Sequence, residues 1–413
     1  MAEPDHILTI VIPALNEEEA IGTTIERCLE ARQHIVDTSP VKDVEIVVVS
    51  DGSTDRTEEI ARSFPEVTVL VFIENRGYGA AIKTGFAHGS GDLVSFLDAD
   101  GTCDPRFFAD LCQELDAKGA DLALGSRMGP NSEMPLIRTV GNTLFAWMLG
   151  LLAHRRVQDT ASGMRVIRRS ALPDLYPLPD GLHFTPAMSA RVLLEDKLEL
   201  IELPMAYAER QGRSKLSVVK DGVRFLTCIL QGAVTFRPAR PLGYVAGALA
   251  LLATLVGSEP LLYWLRKGEL LEPMIYKVLM ASLLTTFAGI VGCAAIVADR
   301  VAAAAHYRPA TRDGVIGWVS PLFSSRWRLW GVASLAAVAV LVSLPGIGEW
   351  LTEGEVAMHW SRAAFSSLML MLAAMLGVTS FLLNMVELIE ANRLNAPTIA
   401  PPDRQFEAKA PGH

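Results

Sequence analysis

The sequence contains runs of uncharged residues that are long enough to cross a lipid bilayer. Residues 278–298 form a run of 21 residues and residues 363–386 a run of 24, and neither contains Asp, Glu, Lys or Arg. A helix of 21 residues is about 31 Å long, which matches the hydrocarbon core of a membrane. Two further apolar segments, 242–265 and 329–347, each contain a proline near one end. The C-terminal half is therefore predicted to form about four membrane-spanning helices.

The first 216 residues have an ordinary mixed composition, and short apolar runs there alternate with stretches of helical spacing. The apolar runs are 7–12, 44–49, 67–72, 93–97 and 122–124, and the helical stretches are 17–36, 54–63, 78–88 and 105–117. Strands that alternate with helices in this way are typical of a doubly wound, mostly parallel sheet with right-handed crossovers. The predicted fold class is therefore an α/β domain followed by an α-helical transmembrane domain.

Each predicted strand is followed by a polar loop, and a parallel topology gathers such loops at one edge of the sheet. The loops read PALNEEE (13–19), SDGSTD (50–55), ENRGYGAA (74–81), DADGTCD (98–104) and GSR (125–127). The third loop is predicted to offer backbone amides at a helix start to a phosphate. None of the loops matches G-x-x-x-x-G-K-[ST] or G-x-G-x-x-G, which argues against an ATPase or a dehydrogenase.

Two aspartates, Asp98 and Asp100, lie one residue apart where the fourth predicted strand ends. Carboxylates this close repel each other unless a cation lies between them, and a divalent metal is the usual one. The alternative is an Asp-rich helix N-cap, and a single Asp-x-Asp motif does not decide between the two. The four other polar loops at the same edge favour the metal site.

As an ordered set, the motifs PALNEE, DGSTD, N-x-G-x-G-x-A, DAD, GSR and ERQGRSKL (209–216) resemble those of the family 2 glycosyltransferases, which have the GT-A fold. With the membrane segment, they most resemble dolichol-phosphate mannose synthases and bacterial polyprenyl-phosphate glycosyltransferases. The resemblance covers about residues 7–236. It implies transfer of a sugar from a UDP- or GDP-linked donor to a polyprenyl phosphate, such as undecaprenyl or dolichyl phosphate, with inversion of the anomeric centre.

The resemblance also implies roles for residues on the donor side. Asp98 and Asp100 match the metal motif, where they would hold Mg²⁺ or Mn²⁺ against the donor diphosphate. The positions that match donor-binding residues of the family are Pro13, Asn16, Glu17, Asp51 and Asp98.

Several basic residues lie at positions that match the family's residues for the acceptor phosphate. A lipid phosphate has about −1.5 to −2 charges near neutral pH, so it is a ready nucleophile and needs no strong base. Asp159, in QDTASGMR (158–165), is a further catalytic candidate beside Asp98, Asp100 and Arg127, and its alternative role is that of a turn residue. Arg138 has the alternative of a solvated helix start. The positions that match the phosphate-handling residues are Arg127, Arg138, Arg210, Ser214 and Lys215.

Several positions depart from the family pattern. Ser50 precedes Asp51 where relatives often have an acid, and Thr102 replaces a glutamine near the metal. His183 and Ala187 lie where relatives often carry acids; His183 either contacts the sugar or is structural. These departures leave the sugar undetermined. Two alternatives stay open: a transferase for another lipid acceptor, which would need a base such as His183 or Asp159, and a catalytically weak lipid-binding scaffold.

The predicted domains are a cytoplasmic glycosyltransferase domain (1–216), an amphipathic interface helix with a linker (217–240), a transmembrane domain (241–390) and a polar cytoplasmic tail (391–413). The apolar segment 137–153 is predicted to be an amphipathic helix of the first domain that touches lipid. The loop 299–328 has five arginines, whereas 346–361 has no Lys or Arg and three glutamates. The positive-inside rule therefore predicts that both termini are cytoplasmic. The resemblance to bacterial polyprenyl-phosphate glycosyltransferases implies a bacterial-type inner membrane.

The net charge limits the classes of binding partner, and the cysteine content indicates the redox compartment. The formal net charge is −9 and no strongly basic domain stands out, which argues against nucleic-acid binding. Five scattered cysteines indicate free thiols in a reducing compartment. The N-terminus lacks the pattern of a signal peptide. The predicted partners are the nucleotide-sugar, the lipid phosphate and the membrane, and a homo-oligomer stays open.

Overall fold

The computed structural model describes residues 5–129, 132–195, 197–208, 217–306, 325–356 and 359–394. The chain divides into two compact units, and the division falls between Arg237 and Pro238. The motif ERQGRSKL, with Arg210, Ser214 and Lys215, lies outside the described residues, as do most of the loop 299–328 and most of the tail.

The first unit contains a seven-stranded sheet with the strand order β3-β2-β1-β4-β6-β5-β7. Strand β6 runs antiparallel to both β4 and β5, and the other pairs are parallel. The strands are β1 (His6–Ala14), β2 (Val41–Asp51), β3 (Thr68–Phe72), β4 (Leu93–Phe96), β5 (Leu122–Ser126), β6 (Arg165–Arg168) and β7 (Leu200–Pro204). The helices of this unit are α1 (Ile21–Thr38), α2 (Thr57–Arg62), α3 (Tyr78–His88), α4 (Phe108–Ala117), α5 (Leu136–Ala153), α6 (Leu172–Leu175), α7 (Phe184–Leu194) and α8 (Val218–Phe236).

Helices cover both faces of the central strands. Successive side chains of a strand point to opposite faces, so Ile10 and Ile12 join the core that contains α1 and α4. Val11 points the other way, and Gly85 of α3 lies so close to it that a β-carbon there would be 2.4 Å from the valine side chain. All three of these β1 side chains are fully buried, as expected for a central strand of a doubly wound sheet.

The predicted fold class is confirmed, and each of the five predicted strands coincides with an observed one. Helix α3 has the predicted bounds, but α1 begins at Ile21 rather than at residue 17. The backbone N–H of Glu17 donates to the Thr57 hydroxyl at 2.8 Å, and that of Glu18 to the Asp55 carboxylate at 3.2 Å. These bonds to the next loop hold the start of the predicted helix in a turn.

The second unit consists, in its described part, of long helices. They are α9 (Ala239–Lys267), α10 (Ile275–Ala305), α11 (Ser325–Glu353) and α12 (Trp360–Leu394), and each contains one predicted span. Helix α9 continues through Pro260 and α11 through Pro345, the two prolines that the sequence places near the ends of these spans. A proline removes one backbone hydrogen bond, which membrane helices tolerate when neighbouring groups compensate.

Five described helices are long and apolar enough to cross a membrane by length and composition, against the four predicted. The additional one is α5, which lies in the first unit and buries Leu149 and Leu152 there. The chain is therefore a membrane protein whose first unit also carries a strongly apolar helix.

Candidate active site

A cavity of about 490 Å³ opens in the first unit at the carboxyl ends of the parallel strands. All five loops that the sequence placed at one sheet edge contribute to its lining. Helices α5 and α8 supply the opposite walls. The polar and charged residues of the lining include Glu17, Asp51, Tyr78, Asp98, Asp100, Arg127, Arg138 of α5, and Asp221 and Arg224 of α8, and Pro13 lies beside them.

Asp98 is positioned by two neighbours. The Tyr78 hydroxyl donates to its Oδ1 atom at 2.7 Å. Gly163 packs so closely that a β-carbon at that position would lie 2.5 Å from Oδ2. The hydrogen bond from Tyr78 and the absence of a side chain at residue 163 therefore both contribute to the direction of this carboxylate.

Asp100 is almost completely buried, yet it lines the cavity. Its Oδ1 atom accepts a hydrogen bond from the Thr102 hydroxyl at 2.8 Å. Thr102 therefore orients an aspartate. Among the described residues no three His, Cys, Asp or Glu side chains form a metal-binding group. Two carboxylates nevertheless fit Mg²⁺ or Mn²⁺, because Mg²⁺ commonly binds through one or two carboxylates, waters and substrate phosphates.

Four backbone amides around the start of α3 are occupied from within the protein, which argues against the prediction that this loop binds a phosphate through them. The amides of Arg76 and Gly77 donate to the two carboxylate oxygens of Asp51 at 2.7 and 2.9 Å. Those of Gly79 and Ala80 donate to the Asp180 carbonyl. Gly77 has φ = 105°, and a β-carbon there would lie 2.5 Å from that carbonyl oxygen. Asp51 therefore lines the cavity while it anchors the third loop.

Arg127 and Asp159 form a buried bidentate ion pair. Nε and Nη2 of Arg127 lie 2.7 and 2.8 Å from the two carboxylate oxygens, and the Arg127 backbone N–H donates to one of them at 3.0 Å. Asp159 is fully buried and also accepts from Asn142 and from the Ala161 amide. Arg127 lines the cavity, whereas Asp159 lies behind it.

The charge state of this pair follows from its geometry. Burial alone would raise the pKa of Asp159, but the Arg127 guanidinium and the hydrogen bonds lower it. Burial would lower the pKa of Arg127, and the Asp159 carboxylate more than reverses that effect. Asp159 is therefore ionised at neutral pH and positions Arg127. A catalytic role of Asp159 stays a prediction.

A second arginine, Arg165 of β6, lies in the core behind this pair. It is fully buried and donates to the carbonyls of Ser162 and Thr160 and to the Ser189 hydroxyl. Burial lowers the pKa of Arg165 to about 10. This arginine therefore braces the segment 159–163, which places Asp159 behind Arg127 and Gly163 against Asp98.

The other predicted residues divide into two groups. Pro13, Glu17 and Arg138 line the cavity. Asn16 instead connects the first two loops. Its side-chain oxygen accepts from the Thr54 backbone N–H at 2.8 Å, and its backbone N–H donates to the Ser53 hydroxyl. His183 precedes α7 and is not a lining residue; burial, followed by the nearby Arg224 charge, lowers its pKa. Its position supports the structural interpretation.

Three residues at the site received no role from the sequence. Tyr78 occupies one of the variable positions of the N-x-G-x-G-x-A motif. Its hydrogen bond to Asp98 joins residues that are 20 positions apart, so it cannot be read from the sequence. Asp221 and Arg224 belong to the predicted amphipathic helix, but nothing in the sequence connects that helix to the Asp-x-Asp loop.

Carboxylates and arginines that share one cavity at this sheet edge are suited to a phosphorylated, metal-associated ligand. The family model "Glycosyl transferase family 2" matches residues 9–176. A dolichyl-phosphate hexose transferase of Haloferax volcanii is 31% identical over 222 residues, which are 52% of this chain and 89% of that relative. The chain belongs to glycosyltransferase family 2, and it is a glycosyltransferase.

Two further relatives extend the comparison. The low-salt glycan biosynthesis hexosyltransferase Agl6 of Haloferax volcanii is 34% identical over 61% of this chain, and the match spans 60% of that relative's length. An undecaprenyl-phosphate 4-deoxy-4-formamido-L-arabinose transferase of Pectobacterium carotovorum is 30% identical over 59% of this chain and 72% of that relative.

Proposed function

We propose that the protein transfers a sugar from a nucleotide-sugar to a polyprenyl phosphate at the cytoplasmic face of a membrane, with inversion of the anomeric centre. The observation that carries the proposal is the set of residues that line the cavity described above. Asp98 and Asp100 line it beside Arg127 and Arg138, and two of its walls are apolar helices. Two of the similar proteins are named as transferases for dolichyl phosphate and undecaprenyl phosphate, which supports this class of acceptor.

The donor side of the cavity is the part formed by the loops after β1, β2 and β4. Pro13, Glu17 and Asp51 line it next to the two aspartates. Asp98 and Asp100 would hold Mg²⁺ or Mn²⁺, which offsets the negative charge of the leaving nucleoside diphosphate. Tyr78 and Thr102 orient the two carboxylates, so their geometry is set before the donor arrives.

The acceptor side contains Arg127 and Arg138. Arginine grips phosphate oxygens through two parallel N–H donors, and Asp159 fixes the plane of the Arg127 guanidinium. The phosphate is itself the nucleophile, so no side chain has to remove a proton. Attack from the face opposite the leaving diphosphate inverts the anomeric centre.

The two residues considered as general bases for a neutral lipid hydroxyl are poorly suited to that task. Asp159 is fully buried and bonded to Arg127, and His183 is not among the lining residues. This arrangement favours an acceptor that is already ionised over a ceramide-type or diacylglycerol acceptor.

Two helices of the first unit expose apolar stripes that suit a membrane surface. The α5 stripe is Leu136, Val140, Leu144, Trp147 and Leu151, and the α8 stripe is Val219, Val223, Leu226, Leu230 and Val234. Each recurs at helical spacing, so each occupies one face of its helix. These stripes support a position of the catalytic unit at the lipid interface, where a polyprenyl phosphate headgroup lies.

The test is release of nucleoside diphosphate by the full chain in detergent. UDP- and GDP-sugars are offered with Mn²⁺ or Mg²⁺, with and without undecaprenyl phosphate. We expect release from one donor class that requires the lipid phosphate and is lost in Asp100→Ala. Asp110→Ala, which removes an exposed carboxylate on α4, is the matched control and should behave as wild type. Equal release without lipid phosphate, or no release from any donor, would contradict the proposal, and the second result would favour a scaffold.

A further inference from the structure

The first turns of α8 contribute to the cavity. Asp221, Gly222, Arg224 and Phe225 all line it. The same helix exposes the α8 stripe to the outside. One helix therefore touches both the interior of the site and the apolar surface of the unit.

Asp221 is built into the start of this helix and fixes Arg224. Its side chain is 6% exposed, and its Oδ2 atom accepts from the Ser217 amide at 2.8 Å. Its Oδ1 atom accepts from Nη1 of Arg224 at 3.1 Å. The Arg224 side chain is 49% exposed, so the guanidinium is accessible while the carboxylate that holds it is buried. A guanidinium has five N–H donors, and this bond uses one of them.

Arg224 lines the same cavity as Arg127 and Arg138. Phe225 of α8 and Phe145 of α5 pack edge to face, with ring centroids 6.0 Å apart. This contact ties α8 to the helix that carries Arg138. Arg127 directs two of its donors to Asp159, so part of its capacity for a ligand is already used. An acceptor phosphate with about −1.5 to −2 charges is served better by a further cation.

We propose that Arg224, held by Asp221, binds the phosphate of the lipid acceptor together with Arg127 and Arg138. This inference rests on the proposed function and names the residue that links it to the interface. When the phosphate of a lipid binds Arg224, the apolar chain of the same lipid can contact the α8 stripe, because both lie on one helix. Arg224 is thus an acceptor-binding residue, and Asp221 is a positioning residue.

The test is binding of geranylgeranyl phosphate, with geranylgeraniol as the uncharged comparison, to the full chain in nanodiscs. Loss of one charge-assisted contact should weaken binding of the phosphate to Arg224→Gln about 10- to 100-fold. Binding of the alcohol, binding of UDP and GDP, and the melting temperature should not change. Arg224→Lys should recover part of the affinity, and Asp221→Asn should lose less than Arg224→Gln.

Lys220→Gln is the matched control, because Lys220 lies one turn away on the same helix, is exposed and does not line the cavity. It should bind geranylgeranyl phosphate as wild type does. If wild type prefers the phosphate to the alcohol and Arg224→Gln keeps that preference, the inference is overturned and the proposed function stands. If wild type shows no preference, both are overturned. An equal loss in Lys220→Gln would indicate a general charge effect and would also overturn the inference.

Discussion

The guanidinium of Arg127 lies in a bidentate pair with the carboxylate of Asp159, with Nε and Nη2 at 2.7 and 2.8 Å from its oxygens. The two residues are 32 positions apart, on the loop after β5 and on the segment before β6. The pair holds the Arg127 side chain at the cavity and connects two loops to each other.

Asp159→Asn should destabilise the first unit. The substitution leaves the Arg127 charge buried without its counter-ion, which costs about 3–5 kcal/mol when a buried pair is broken. For a unit of this size, that loss lowers the melting temperature by about 10 °C. Thermal unfolding of the full chain in detergent measures it, with Asp110→Asn as the control at an exposed site. A melting temperature equal to that of the control would contradict the role given to the pair.

The same pair should make stability depend on pH. The pKa of Asp159 is lowered in the folded protein, against about 3.9 in an unfolded chain. The stabilisation is therefore complete above about pH 4 and is lost as the pH falls through the folded-state pKa. The difference in melting temperature between wild type and Asp159→Asn should shrink on acidification below about pH 4. A difference that stays constant or grows in acid would show that the carboxylate is not stabilised by Arg127.

Tyr78→Phe should weaken metal binding. The Tyr78 hydroxyl donates to Asp98 at 2.7 Å, and its loss frees a carboxylate that the metal needs in one orientation. Loss of such an outer contact typically costs about 10- to 100-fold in metal affinity. Titration of Mn²⁺ followed by electron paramagnetic resonance, with UDP present, measures this without turnover. Tyr276→Phe, at an exposed tyrosine, is the control. Unchanged Mn²⁺ affinity in Tyr78→Phe would remove Tyr78 from the site.

Gly163→Ala should disturb the same carboxylate from its other side. The added β-carbon would lie 2.5 Å from Asp98 Oδ2, so the carboxylate or the segment 159–163 has to move. We expect a loss of Mn²⁺ affinity of about tenfold or more. Gly331→Ala is the control, since no atom lies within 4 Å of a β-carbon there. If Gly163→Ala binds Mn²⁺ as tightly as this control, the close packing is not what orients Asp98.

The sequence predicts the parts of the site that local patterns determine. Apolar runs identified five strands, and the parallel topology that they imply brought Glu17, Asp51, Asp98 and Arg127 to one cavity. The antiparallel β6 has only four residues, and its first, Arg165, is a buried cation, so no apolar run marks it. Strand β7 has five residues and lies at the edge of the sheet. Its buried and exposed side chains do not alternate clearly, so the sequence pattern does not reveal it.

What the sequence missed depends on contacts between distant residues. The amides of the third loop looked available for phosphate, yet Asp51 and Asp180 take them up from 25 and about 100 residues away. Arg224 belongs to the predicted amphipathic helix, but only folding brings that helix to the cavity of Asp98 and Asp100. Side-chain partners separated in this way leave no periodic signal.

Identification of the lipid product distinguishes glycosyl transfer to undecaprenyl phosphate from hydrolysis of the donor. The full chain is incubated with undecaprenyl phosphate, Mn²⁺ and the donor that supports diphosphate release, and the lipid is analysed by mass spectrometry and nuclear magnetic resonance. We expect undecaprenyl phosphate bearing one sugar, with the anomeric configuration opposite to that of the donor, and no such product from Asp100→Ala. Unmodified lipid alongside free sugar, or a product with retained configuration, would contradict the proposed function.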